Sequence, residues 1–228
     1  MEGLVSQLDY GGMLSFALRM LAILLCIMVH EVSHGLAAYF LGDPTAKEGH
    51  RLSFNPIHHI DPFGLLMMIV VGFGWAKPVP VDARYFKNQK SGMAITAFAG
   101  PLSNFILAFL TAMIFRGVEA YAAVWGAGPV LLQLADFLGM VIMLNIGLGL
   151  FNLIPFPPLD GSKILGIILP ERLYFTLLRY EQYGMLLLMA VLWMGALDGP
   201  LQAARSWMVD FMFSSTEFIH TMVLHLLR

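Results

Sequence analysis

The chain has 228 residues, 58% hydrophobic and only 12% charged, against the roughly 25% charged of an ordinary soluble domain, so a lipid environment is expected. The formal net charge is -2 and the basic residues form no block that could track a phosphate backbone, so nucleic acid is not an expected partner. A single cysteine, Cys26, rules out an intrachain disulfide and reads as a small packing residue in an apolar run.

The N-terminal MEGLVSQLDYGG lacks the basic start and small-residue cleavage site of a secretory signal, so the first apolar run is expected to be retained as a span. That run, Leu14 to Leu41, exceeds the ~20 residues that cross a hydrocarbon core and ends at Gly42, Asp43 and Pro44. Arg19 near its start is expected to snorkel toward the outer interface. From Asp43 to Gly92 the chain is mixed and carries Lys47, Arg51, Lys77, Arg84, Lys87 and Lys90. Within it, the apolar run Phe63 to Phe73 is too short to cross and reads as re-entrant or buried. Met93 to Phe115 is the second span, Val130 to Leu153 the third, and Tyr174 to Leu197 the fourth. The stretch Ser206 to Leu227 includes Asp210, Glu217, His220 and His225, and either spans or lies along the interface.

Six Lys and Arg lie between Asp43 and Gly92 and three between Ile154 and Arg179, while Arg116 to Pro129 holds one. The two rich loops are therefore cytoplasmic, and the first and third spans end at the same membrane face. No loop is long enough for a further domain of ~100 residues, so residues 1–228 read as one membrane domain.

His30, Glu31, Val32, Ser33 and His34 spell H-E-x-x-H inside the first span. At 3.6 residues per turn the two histidines share a helical face with Glu31 beside them. Two imidazoles one turn apart hold one Zn²⁺ at ~2.0 to 2.1 Å, and the adjacent carboxylate reaches a water at the metal as general base. The alternative is a chance match. Location opposes it, because each ionisable residue at mid-bilayer costs roughly 2.5 to 3.5 kcal/mol and calls for a compensating function.

A catalytic zinc takes three protein ligands and keeps a position open. Asp160, in N-L-I-P-F-P-P-L-D-G at 152–161, supplies the third, because the third span ends at the same face as the first. Taken alone it would be a turn aspartate before Gly161. Pro155, Pro157 and Pro158 keep this backbone non-helical, which at that depth requires surrounding protein or a water-filled cavity.

HEVSHG at 30–35 and NLIPFPPLDG at 152–161 resemble the two hallmark motifs of the site-2 proteases, intramembrane zinc metalloproteases. Further similarity lies in AYFLGDPTA at 38–46, HRLSFNP at 50–56, GWAKPVPV at 74–81 and AGPLSN at 99–104. The resemblance runs from about Leu14 to Leu165 and departs at no ligand or base position. It implies an all-α, polytopic membrane bundle with a three-span catalytic core, and one catalytic zinc held by His30, His34 and Asp160. It also implies Glu31 as catalytic base and Asn152 as a contact to substrate or to the developing oxyanion. The expected activity is hydrolysis of peptide bonds in or near transmembrane segments of membrane-protein substrates. The expected setting is lipid: a prokaryotic inner membrane, with the active site toward the cytoplasm.

The competing class is a zinc transporter or metal-binding membrane protein, since intramembrane His and Asp also mark ion pathways. Glu31 discriminates, because a transporter needs no base there. His50, His58 and His59 read as solvated or hydrogen-bonded loop residues, Asn104 as an interhelical hydrogen bond, and Cys26 as lining the site without ligating. The 43–92 region is expected to carry short re-entrant or β-like elements, with Trp75 to Val81 as an extended edge for an unwound substrate.

Overall fold

The computed structural model describes residues 10–64, 66, 77–170, 172–174 and 181–227. Most of the Phe63–Phe73 run, Trp75 and Ala76, and part of the expected fourth span lie outside the described residues. Three long apolar helices dominate: α1 (Tyr10–Phe40), α2 (Gln89–Trp125) and α3 (Pro129–Asn152). At 1.5 Å per residue they are ~46, ~55 and ~36 Å long, enough to cross a ~30 Å hydrocarbon core.

The second span was expected to stop at Phe115, before Arg116. The helix instead runs on to Trp125, because the terminal guanidinium nitrogens of Arg116 find partners within the bundle. It pairs with Glu119 at 2.8 Å, with Glu217 of the last helix at 2.7 Å, and donates to the Phe213 carbonyl at 3.0 Å.

α1 and α3 run parallel, Ala22 and Cys26 packing on Val141, and α2 runs antiparallel between them. α3 closes at Asn152 into the turns of Leu153–Leu159, and α4 (Asp160–Leu165) begins at Asp160. α5 (Glu181–Trp193) is followed by α6 (Asp198–Leu227) at a bend of 84°. α6 buries Met212 among Ala108, Ala112, Ile142 and Ile146, so it is part of the bundle rather than a surface helix. Near its start Arg205 lines a cavity of about 680 Å³ that it shares with Arg19.

The bundle encloses a few polar residues within an apolar core and presents apolar side chains outward. Asn104 and Asn145 are fully buried, while Leu102, Ile106, Leu110 and Ile114 form an exposed stripe at helical spacing along α2. An exposed apolar stripe of this kind suits lipid contact. The 43–92 region contributes single turns at Thr45–Glu48, Pro56–His59 and Ala83–Tyr85 and an isolated bridge residue at Ile60; there is no strand among the described residues.

Candidate metal centre

HEVSHG lies in the C-terminal third of α1 and NLIPFPPLDG at the end of α3 and the start of α4. The expected meeting of the two motifs takes place: Asp160 Oδ2 stands 3.2 Å from His30 Nε2 and 3.2 Å from His34 Nε2, and the two Nε2 atoms are 3.0 Å apart. Four ligands around zinc at ~2.05 Å stand ~3.3 Å apart in a tetrahedron, so this triangle is nearly the right size for three of them.

Donor chemistry makes the same point. His34 Nδ1 lies 2.7 Å from the Thr96 carbonyl, which only accepts, so Nδ1 carries the proton and Nε2 presents a lone pair. Asp160 Oδ2 is buried with no hydrogen-bond partner. Lone pairs converging in a buried pocket are satisfied by a cation. Among the described residues, His30, His34 and Asp160 form the only group of His, Cys, Asp and Glu disposed to hold one.

Two glycines make the approach possible. A Cβ at Gly100 would overlap both imidazoles, and a Cβ at Gly161 would overlap the Leu153 and Ile154 carbonyls, displacing the turn that carries Asp160. Pro101 has no N–H for the Ala97 carbonyl, so α2 is loosened where it faces the site.

Glu31 lies beside this triangle, its Oε2 accepting the Val79 N–H at 2.8 Å. Sequence reasoning missed that contact, although the alternating prolines 78 and 80 mark an extended segment. The segment is framed by its neighbours in the chain. Lys77 N–H donates to the His59 carbonyl at 2.9 Å, Arg51 Nη2 donates to the Lys77 carbonyl at 2.8 Å, and His59 Nε2 donates to the Ser53 carbonyl at 2.7 Å. At the far end Asp82 N–H donates to Asp43 Oδ2 at 2.7 Å. Gly35 completes the fit, since a Cβ there would meet Val79 Cγ1 at 2.9 Å and Leu52 Cδ2 at 2.6 Å.

The cavity over the triangle is about 330 Å³ and is lined by Pro78, Val79 and Val81 on one side and by Asn152, Pro158 and Lys163 on another. Asn152 donates its amide to the Leu148 carbonyl at 3.0 Å. Lys163 went unnoticed in the sequence, although three residues beyond Asp160 on a helix is the same face. Cys26 requires a correction: it does not line this cavity. It is buried between α1 and α3, where Asn145 Nδ2 donates to its sulfur at 2.9 Å. Of the loop histidines, His59 is held by Ser53 and none joins the metal-holding group.

The sequence profile of Peptidase family M50 matches residues 18–195, a span that contains every residue of this centre. The chain belongs to the M50, or site-2 protease, family. YwhC, a candidate zinc metalloprotease of Bacillus subtilis strain 168, is 38% identical over 175 residues, covering 75% of this chain and 78% of that protein. Rip2 of Mycolicibacterium smegmatis, also named as a candidate zinc metalloprotease, is 28% identical over 220 residues, 91% of this chain and 78% of its own length. Rip2 of Mycobacterium tuberculosis H37Rv is 24% identical over 214 residues, 90% of this chain and 77% of its own. No solved structure matches. This M50 chain is thus a zinc metallopeptidase of the membrane, and the transporter alternative falls away.

Proposed function

We propose that this M50 peptidase hydrolyses peptide bonds in or near the transmembrane segments of other membrane proteins. In this reading His30, His34 and Asp160 hold one zinc, Glu31 is the base, and one domain, residues 1–228, carries the activity. The observation that carries the proposal is the near-equilateral triangle of His30 Nε2, His34 Nε2 and Asp160 Oδ2, with His34 about six residues before the C-terminal end of α1 and Glu31 alongside. The fit of donor type, separation and burial supports zinc as the occupant.

Zinc bound there would supply Lewis acidity and lower the pKa of a water toward about 7. Glu31, oriented through Oε2 by the Val79 amide, accepts the proton of the attacking water and returns it to the leaving amine. Asn152 lines the cavity and gives one amide proton to the Leu148 carbonyl, so its second amide proton can serve substrate or oxyanion.

A peptide bond in an intact helix has its carbonyl engaged four residues on, so the substrate must unwind locally. The extended segment Lys77–Val81 is the edge on which it would lie. Pro78 and Pro80 have no amide proton, and those of Lys77 and Val79 are already engaged, so this edge offers chiefly carbonyl acceptors to a substrate's N–H groups. Cleavage unaffected by replacement of 77–81 would contradict that role. The density of Lys and Arg in the loops around the site favours a cytoplasmic-facing centre, and the bacterial relatives favour a prokaryotic cell (inner) membrane.

Co-expression of single-span membrane proteins with wild type and with Glu31→Gln tests the activity. The uncleaved substrate accumulates with Glu31→Gln, and the wild-type product ends within or beside the apolar segment. Equal cleavage by both forms would refute the assignment.

A further inference from the structure

We propose that Asn104 of α2 is a positioning residue for the zinc centre, fixing the tautomer of His30 through a relay of amides anchored on backbone carbonyls. The inference rests on His30 being a zinc ligand, as argued above.

The atoms that can donate fix the direction of every bond in this relay. Asn145 Nδ2 lies 2.8 Å from the Val141 carbonyl, which only accepts, and 2.9 Å from Cys26 Sγ. Its amide nitrogen is thereby committed to that side, and its Oδ1 faces Asn104. Asn104 Nδ2 lies 2.7 Å from that Oδ1 and 3.2 Å from the Cys26 carbonyl, so both of its protons go to acceptors. The Oδ1 of Asn104 is then the only atom it can offer His30, and it stands 2.6 Å from His30 Nδ1. His30 must donate from Nδ1, which leaves the Nε2 lone pair turned toward His34 and Asp160. Reversing either amide would set donor against donor or carbonyl against carbonyl in a site where both asparagines are fully buried.

The relay spans three helices, α1 through Cys26 and His30, α2 through Asn104, and α3 through Val141 and Asn145, so it couples bundle assembly to the readiness of one ligand atom. An asparagine that merely held helices together would need no contact with His30. Partners of this kind typically change metal affinity 10- to 100-fold.

Zinc affinity of the purified full chain is measured by competition with a chromophoric chelator, beside the unfolding temperature of the metal-free protein and the visible spectrum of its cobalt form. Asn104→Leu is expected to bind zinc about 10- to 100-fold more weakly and to shift the cobalt spectrum. A purely structural residue would lower the metal-free unfolding temperature of Asn104→Leu while leaving zinc affinity unchanged, and that result overturns the proposal. Should Asn104→Leu not fold, Asn145→Leu decides: it frees the Asn104 amide to turn, so weakened zinc binding supports the relay and wild-type affinity refutes it. His30→Ala separates the two levels of the argument. Zinc binding unaltered by His30→Ala would refute the ligand assignment itself, whereas loss there with wild-type affinity in Asn104→Leu would refute only the relay.

Discussion

A zinc site inside a helical bundle depends on residues that are small as much as on residues that ligate. Gly100 on α2 faces His30 and His34 so closely that any side chain would push the imidazoles off their positions. Gly100→Ala is therefore expected to lose bound zinc by metal analysis while the chain still inserts and folds, since alanine favours helix over glycine by about 1 kcal/mol. Zinc retained at the wild-type level would mean that the histidines relax without cost. At this scale the sequence was partly legible. H-E-x-x-H and the motif aspartate could be read because their chemistry is written in residue type and helical spacing. The Val79 amide on Glu31 and the Thr96 carbonyl on His34 could not, because backbone groups have no residue-type signature and both contacts join distant parts of the chain. Asn104 was recognised as an interhelical bond, but its aim at His30 depends on the rotation of α2 against α1, which no pattern in a single helix encodes.

The connection between α1 and α2 works as a frame for the segment that reaches Glu31. Asp43 is fully buried and accepts from Thr45 N–H, the Thr45 hydroxyl and Asp82 N–H. Asp43→Ala leaves those donors unpaired, so a loss of about 1 to 3 kcal/mol in stability is expected, with slower cleavage because Val79 is no longer held on Glu31. Wild-type unfolding and wild-type cleavage together would refute the framing role. Asp82 is itself held low, to about 2, chiefly by hydrogen bonds from the Arg84 side chain. A depressed carboxylate contributes above its ordinary range and loses that contribution only as pH falls toward about 2, so the Asp82–Arg84 contact is expected to persist down to pH 4. A titration of Asp82 by NMR with a midpoint near the ordinary aspartate value of 3.8 would contradict this. The three long helices were legible because twenty or more apolar residues have few other readings. The end of α2 was not, since Arg116 looks like a terminator until Glu217, a hundred residues later, is known to meet it. The nature of the last helix was equally hidden, because its charged residues are compatible with an interface until Met212 is seen in the core.

For the molecule as a whole, the arrangement is a polar seam of histidine, aspartate and asparagine within an apolar coat. The single cysteine is sealed in that seam at 1% exposure, so the native chain is expected to resist membrane-permeant maleimides. In a Cys26→Ala background, Lys87→Cys is expected to label from the cytoplasmic side and Ala127→Cys from the opposite side; the reverse pattern would invert the proposed orientation. The central claim is that His30, His34 and Asp160 hold zinc while Glu31 does not. Its most direct test is the zinc content of purified wild type, Glu31→Gln, and alanine variants of the three ligands, read beside cleavage of one membrane substrate. The account predicts about one zinc per chain in wild type and Glu31→Gln, marked loss in each ligand variant, and cleavage by wild type alone. Loss of zinc from Glu31→Gln, or a ligand variant that keeps both metal and activity, would contradict it.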